Sequence, residues 1–404
     1  MSRFRQSVLF VSHDASRTGA PIFLLRFLRW FRDHHQVPFQ ILVASPGELL
    51  REFASVGPTE ILEPESKLDR ALRRLNFPPR DHSNHLLSLR ERLLKSNIGL
   101  IYSNTIATGK ALDYLAFLGC PVICNVHELE QAIRRCDKDG NLSLVKKHAS
   151  SYVAVSHAVK ENLMANHGIR ENEITVVHGF VPTGRSTPRE LGQTRSLVRR
   201  ELRIPMHAQL VCACGSIEPR KGPDLFIQAA DKLAKVYPHV PAHFVWIGGN
   251  NEQVKAMRKQ AQELSRGDVV HFIGSRRDPC AYYEAADVFL LPSREDPFPL
   301  VMLEAALAGK PIVSFDKSGG APEFVRHDAG FVVPAFDVDA MAEKLAILLS
   351  SDELRRRTGE AGRQRVLDEH DLNTSAPKIA AIIQNALASS TKVDPPLSTT
   401  ARVG

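Results

Sequence analysis

Cysteine is scarce in this chain and poorly spaced for chemistry. The six present are Cys120, Cys124, Cys136, Cys212, Cys214 and Cys280. No two have CxxC spacing, and no zinc pattern appears. That excludes a disulfide scaffold and points to a reducing compartment. Long apolar runs are also missing. Residues 8–11 are too few for a signal peptide, and no run approaches the length of a membrane span. No GxGxxG fingerprint is present, so a dinucleotide reading has no support. Nucleic-acid motifs are absent too, and none is expected as a partner.

What is there suits a globular α/β protein. At 404 residues the chain exceeds what one core supports, and two domains are expected. Hydrophobic residues make up 43% and charged residues 24%. The net charge is +7. Residues 1–185 carry 24 Lys and Arg against 18 Asp and Glu, so most of the excess lies in the N-terminal half. Such a half can attract phosphates or anionic lipid.

Short apolar runs bounded by Gly, Pro, Ser or Asn recur along the chain. They read as buried parallel strands at 7–11, 39–44, 60–62, 99–103, 121–126, 151–155 and 174–177, then at 210–214, 244–247, 269–273, 288–291 and 311–315. Helical patterns fall between them. The first, at 22–31, sets Arg26, Arg29 and Arg32 among Leu, Phe and Trp. Two readings stand for its apolar surface: core packing, or a face laid on a membrane. Residues 64–96 are polar and basic, and read as helical insertion and loop. Residues 182–194 are rich in Pro, Gly, Ser and Thr, which suits a linker. The expected division is an N-terminal domain at 1–185, a C-terminal domain at 195–370, a last amphipathic helix at 371–388 and a disordered tail at 389–404.

The most informative stretch is 290–323, LLPSREDPFPLVMLEAALAGKPIVSFDKSGGAPE. A strand ends at Pro292-Ser293, an acidic pair follows (Glu295, Asp296), and a helix opens at Pro299. Gly309 caps it. A strand running through a loop into a helix aims unpaired backbone N–H groups at one spot, which favours a phosphate. Asp296, and Glu304 on the helix's second turn, are placed to accept hydrogen bonds from hydroxyls. Phosphate plus polyol implies a nucleotide sugar. The plainer reading is that Glu295 and Asp296 complement the helix dipole.

This stretch resembles the donor-binding signature of the retaining GT-B glycosyltransferases of family 4 type. Their usual Glu-Gly-Phe-Gly-Leu, three residues, then Glu, lines up with Asp296-Pro297-Phe298-Pro299-Leu300 and Glu304. Flanking residues agree, from Pro292-Ser293 to Gly309-Lys310-Pro311 and Gly319-Gly320-Ala321-Pro322-Glu323. Upstream, Gly215 to Gly222 resembles the family's Gly-Arg and Lys-Gly loop, with Ser216 where the Arg would be and Arg220 beside Lys221. The resemblance implies a fold of two Rossmann-like doubly wound domains facing a cleft. It implies a last helix that crosses back to the N-terminal domain. It also implies site roles. Arg220 and Lys221 stabilise the leaving diphosphate. Asp296, or Glu295, holds sugar hydroxyls, and Glu304 holds the ribose. Phe298, Leu300, Val301 and Ser216 line the donor, and Arg276 lies by the base. Gly19 lies in a loop facing the ligands, and His127, in a His-Glu pair at a strand end, faces the reacting carbon.

The expectation is therefore a glycosyltransferase that moves a sugar from a nucleotide-diphosphate donor, with retention, to a glycan, lipid-linked or small-molecule acceptor. It carries no cofactor and no metal, since the family needs none and no Asp-x-Asp stands ahead of a cleft strand. A cytoplasmic location, with peripheral contact at the inner membrane face through the basic half, goes with it. Two alternatives differ in class. One is a catalytically weak binding partner of the same fold, suggested by Asp296, Ser216 and Pro299. The other is a nucleotide-sugar 2-epimerase.

Overall fold

A computed structural model describes residues 6–63, 83–184, 191–276 and 278–390. The basic stretch at 64–82, residues 185–190 of the expected linker, Arg277 and the tail from 391 lie outside the described residues.

Two parallel sheets organise the chain, each built from strands with few polar inward residues. The first contains β1 (Ser7–Asp14), β2 (Phe39–Ser45), β3 (Thr59–Ile61), β4 (Ile98–Asn104), β5 (Val122–Val126), β6 (Ser151–Ala154) and β7 (Ile174–Val176). Its order is β3-β2-β1-β4-β5-β6-β7. The second contains β8 (Gln209–Cys214), β9 (Ala242–Ile247), β10 (Val270–Phe272), β11 (Val288–Leu291), β12 (Ile312–Phe315) and β13 (Gly330–Val333), in the order β10-β9-β8-β11-β12-β13. β4, β5 and β11 are buried along their whole length. This is the pattern of parallel strands covered on both faces by helices. Both sheets are doubly wound, with the order reversing beside the first strand: between β1 and β4, and between β8 and β11.

The chain divides into two compact units. One gathers the described residues up to Val126, Cys136–Val153 and the residues from Ala376 on. The other gathers His127–Arg135 and Ala154–Ser375.

In the first unit, helix Gly19–His34 buries Phe23, Leu24, Phe27, Leu28, Trp30 and Phe31. Phe10 of β1 meets the rings of Phe27 and Phe31 at 5.9 and 5.6 Å. The helix's apolar face is thus spent on the core, the first of its two readings. Arg29 pairs with Glu52 at 2.8 Å and Arg32 with Asp33 at 2.8 Å. The helix starts three residues earlier than the pattern suggested, so Gly19 is its first residue rather than a loop position. Helix Leu372–Ser390 contributes Ile379, Ala380, Ile383 and Leu387 as buried residues, and Gln384 Nε2 lies 3.0 Å from His35 Nδ1. It extends two residues into the stretch expected to be disordered.

In the second unit, Phe226 packs edge-on against Phe244, Trp246 and Phe272. A helix, Leu191–Leu202, begins inside the stretch read as linker. It anchors there because Arg199, fully buried, donates to the carbonyls of Pro205 (2.8 Å) and Ala208 (2.7 Å) and pairs with Asp287 at 3.4 Å.

Candidate active site

In an open parallel sheet, ligands bind outside the carboxyl ends of the strands where the order reverses. In the second unit that point lies between β8 and β11. The loop after β8 runs Gly215–Lys221 and the loop after β11 runs Pro292–Pro299. They are stitched together: the N–H groups of Arg294 and Glu295 both donate to the Arg220 carbonyl, at 2.7 and 3.1 Å. Gly222 makes this approach possible. Its φ is +71°, and a Cβ there would overlap the Pro292 carbonyl.

The stitching brings the expected charges together. Lys221 Nζ donates to Asp296 Oδ2 in a close ion pair whose side chains are 13% and 6% exposed. Ser293 Oγ lies 3.4 Å from the same oxygen. Arg220 pairs with Glu218 at 3.3 Å and reaches the Glu295 carbonyl at 3.4 Å. Burial works against ionisation of Glu218, but Arg220, Ser216 and Arg135 outweigh it and its carboxyl sits below the usual range. The Lys221 stem passes over Gly215.

Lys221 and Glu304 are each close enough to Cys214 to influence it. Both act on the Cys214 thiol at the end of β8: burial pushes it up to about 12, Glu304 adds to the rise and Lys221 opposes it. Glu304 also acts on Cys280, pushed up to about 12 chiefly by burial.

Asp296 is held from a third side by the Gly-Gly loop. Its N–H donates to Ser318 O at 2.6 Å, and its carbonyl accepts from Gly320 N–H at 3.2 Å. Gly319 has φ +122°, and a Cβ there would strike the Asp296 carbonyl. The helix beyond Pro299, Leu300–Leu307, starts within this arrangement. Leu300, Val301 and Glu304 are half-buried on it.

The other expected residues make the following contacts. Glu295 turns its carboxylate to helix Glu130–Asp137, accepting from the N–H groups of Gln131 (2.8 Å) and Ala132 (3.2 Å). Phe298 packs its ring against His178 and His370, with centroids 5.0 and 5.3 Å away. Arg276 is committed to its own surroundings, donating to Tyr282 Oη at 3.0 Å and Ile273 O at 2.6 Å, with Glu201 at 3.4 Å. His127 is half-buried, and its N–H donates to Glu128 Oε2 at 2.9 Å. A Cβ at Gly19, in the first unit, would meet nothing within 4 Å.

Two groupings escaped the sequence. At the first unit's own reversal point, Thr105 adopts φ +108°, rare for a residue with a Cβ, and its Oγ1 lies 3.4 Å from His13 Nδ1. Burial holds the His13 pKa below its ordinary value, against Asp14. In the second unit Glu323 accepts from His157 N–H and Ala158 N–H, both at 2.9 Å, and lies 2.8 Å from His178 Nε2. Only the Gly-Gly-x-x-Glu spacing hinted at a fixed role for that Glu.

The family model described as glycosyl transferases group 1 matches residues 194–365. The model for glycosyltransferase family 4 matches residues 17–185. The chain belongs to the group 1 GT-B glycosyltransferases. The D-inositol 3-phosphate glycosyltransferase of Corynebacterium urealyticum is 33% identical to it over 172 residues, 41% of each chain. The GDP-mannose-dependent alpha-(1-6)-phosphatidylinositol monomannoside mannosyltransferase of Mycobacterium tuberculosis is 30% identical over 217 residues, 51% of this chain and 55% of that protein. The chain thus spans about two fifths to one half of the length of these curated relatives. Among solved structures, Anabaena Alr3699/HepE in complex with UDP and glucose matches with a TM-score of 0.75 at 20% identity, covering 94% of this chain and all of that one. The likeness shows the chain's fold: two parallel-sheet Rossmann-like domains of GT-B type.

Proposed function

We propose that the chain transfers a sugar from a nucleotide-diphosphate sugar to a hydroxyl acceptor, a glycan, lipid-linked or small-molecule alcohol, with retention at the anomeric carbon. One observation carries the reading. Lys221, Arg220 and Asp296 meet at the β8–β11 reversal point, beside the start of helix Leu300–Leu307 and with Glu304 acting on the same thiol as Lys221. Two cations and a helix N-terminus match a leaving diphosphate, and the acids match hydroxyl donors.

In this reading Lys221 exchanges Asp296 for the diphosphate as the donor enters. Asp296, released, accepts from sugar hydroxyls. Glu304 holds the ribose. The two cations supply the positive charge that bond cleavage demands, so no step calls for a metal. The departing phosphate takes the acceptor's proton on the same face. His127 would meet the reacting carbon there, the role the family resemblance implies for it. Support for a nucleotide sugar also comes from the relatives, one of which is named as GDP-mannose-dependent and one solved with UDP and glucose. Among the described residues no helix is long and apolar enough to cross a membrane. A lipid-linked acceptor would therefore be met at a membrane surface, the basic N-terminal half being the face suited to it.

The test is a thermal-shift panel of nucleoside diphosphates and their sugars, followed by product analysis with and without acceptor. One donor is expected to stabilise the chain by mass action and to be turned over. Glu304→Ala should abolish both while the circular dichroism spectrum is unchanged. A new nucleotide sugar formed without acceptor would mean an epimerase. Tight binding with no turnover of any donor would mean a binding protein.

A further inference from the structure

Residues His127–Arg135 group with the second unit although the chain on either side, up to Val126 and from Cys136, groups with the first. Something must hold this excursion, and the side chains show what does. At its front, Glu295 grips the first turn of helix Glu130–Asp137 through the Gln131 and Ala132 N–H groups. The carboxylate thereby satisfies two of the helix's orphan donors, and its charge complements the positive end of the helix. Glu295 is 8% exposed. At the rear, Arg135 pairs with Glu218 at 3.2 Å, and Glu218 pairs with Arg220. In the middle, Leu129 Cδ1 lies 2.9 Å from where a Cβ on Gly319 would stand.

These contacts close a ring. Helix Glu130–Asp137 leads through Glu295 to its neighbour Asp296, through the ion pair to Lys221 and Arg220, and through Glu218 to Arg135 and back to the helix. The diphosphate and sugar-hydroxyl groups of the proposed site lie on this ring. His127 stands three residues before the helix that Glu295 grips.

We infer that Glu295 is a positioning residue: it fixes the His127–Arg135 segment against the Lys221–Asp296 pair, so that His127 meets the donor at a set distance. The inference rests on the proposed transfer reaction. It also gives the adjacent acids separate duties, Glu295 holding protein backbone and Asp296 holding substrate. Glu295 would then act on rate rather than on donor affinity, because the groups that bind the donor stay in place without it.

Glu295→Ala and Glu295→Gln, alone and with His127→Ala, separate the cases. Amide exchange at Gln131 and Ala132 should quicken in Glu295→Ala, and less in Glu295→Gln, whose amide oxygen still accepts. Turnover should fall about ten- to a hundredfold in Glu295→Ala, with donor KM and nucleoside diphosphate affinity within about twofold of the parent. Glu295→Gln should recover part of the rate. The double variant with His127→Ala should be no slower than His127→Ala alone, since Glu295 acts through that segment. Unchanged exchange would overturn the inference. So would a rise in donor KM with kcat intact, or rate losses that multiply in the double variant. A parent chain that turns over no donor would refute the transfer reaction instead, and the clamp would then stand or fall on the exchange measurement.

Discussion

The Lys221–Asp296 pair makes a prediction that is independent of any substrate. Lys221→Met keeps the length and apolar stem of the side chain and removes the ammonium. The Asp296 carboxylate, 6% exposed, is then left with Ser293 Oγ at 3.4 Å as its remaining side-chain partner among the described contacts. Removing one member of a buried ion pair strands the other charge, at a cost of about 3–5 kcal/mol. With a urea slope of about 2–3 kcal/mol per molar, the midpoint should fall by about 1–2.5 M. The transition to watch is that of the second unit, because two units need not unfold together. The chain has two tryptophans, and only Trp246 lies in that unit's core. A Trp30→Phe background therefore lets fluorescence report the second unit. Replacing both partners, Lys221→Met with Asp296→Leu, removes the stranded charge and should restore at least half of the loss. The reasoning fails if Lys221→Met shifts the midpoint by less than about 0.3 M, or if the double replacement is as destabilised as the two single ones added together.

Two further outcomes follow from the same unit. His370 is buried against Phe298 and Phe324, and burial lowers its pKa from 6.5 to about 4. The unfolded chain binds the proton more tightly, so this contribution is fully present above pH 6.5 and is lost as the pH falls toward 4, by about 3 kcal/mol in all. His370→Asn should flatten the decline in thermal midpoint across that window; an unaltered slope would show that the ring is not responsible. At Gly222, an added Cβ meets both a left-handed φ of +71° and the Pro292 carbonyl. Gly222→Ala should destabilise the second unit by about 2 kcal/mol or more and weaken nucleotide binding, measured by urea unfolding and by thermal shift. A neutral result would mean that the two loops are not in contact there.

What could be read from the residues was whatever a local run declares. β11 is Val288–Leu291, as its four consecutive apolar residues announced, and β8, β9 and β12 fall within a residue or two of their runs. The family resemblance picked out Lys221 and Asp296 although they are 75 positions apart, because each sits in a spaced motif of its own. What stayed hidden was pairing through backbone. The partners of Glu295 are N–H groups 163 and 164 residues away, and an N–H carries no side-chain label. A Glu that binds a ligand and a Glu that caps a distant helix look the same in a string of letters. Thr105 was missed because its letter does not announce a φ of +108°; a β-branched residue ordinarily signals the opposite. The physical distinction between Glu295 and Asp296 lies in which neighbour reaches each carboxylate first. For Asp296 that neighbour is a lysine, whose ammonium a diphosphate would recruit in the proposed reaction. For Glu295 it is a helix end, fixed by its own hydrogen bonds, which a soluble ligand has no means of drawing away. An acid able to change partners can take part in a reaction cycle; one tied to a helix can only hold the cycle's parts in register.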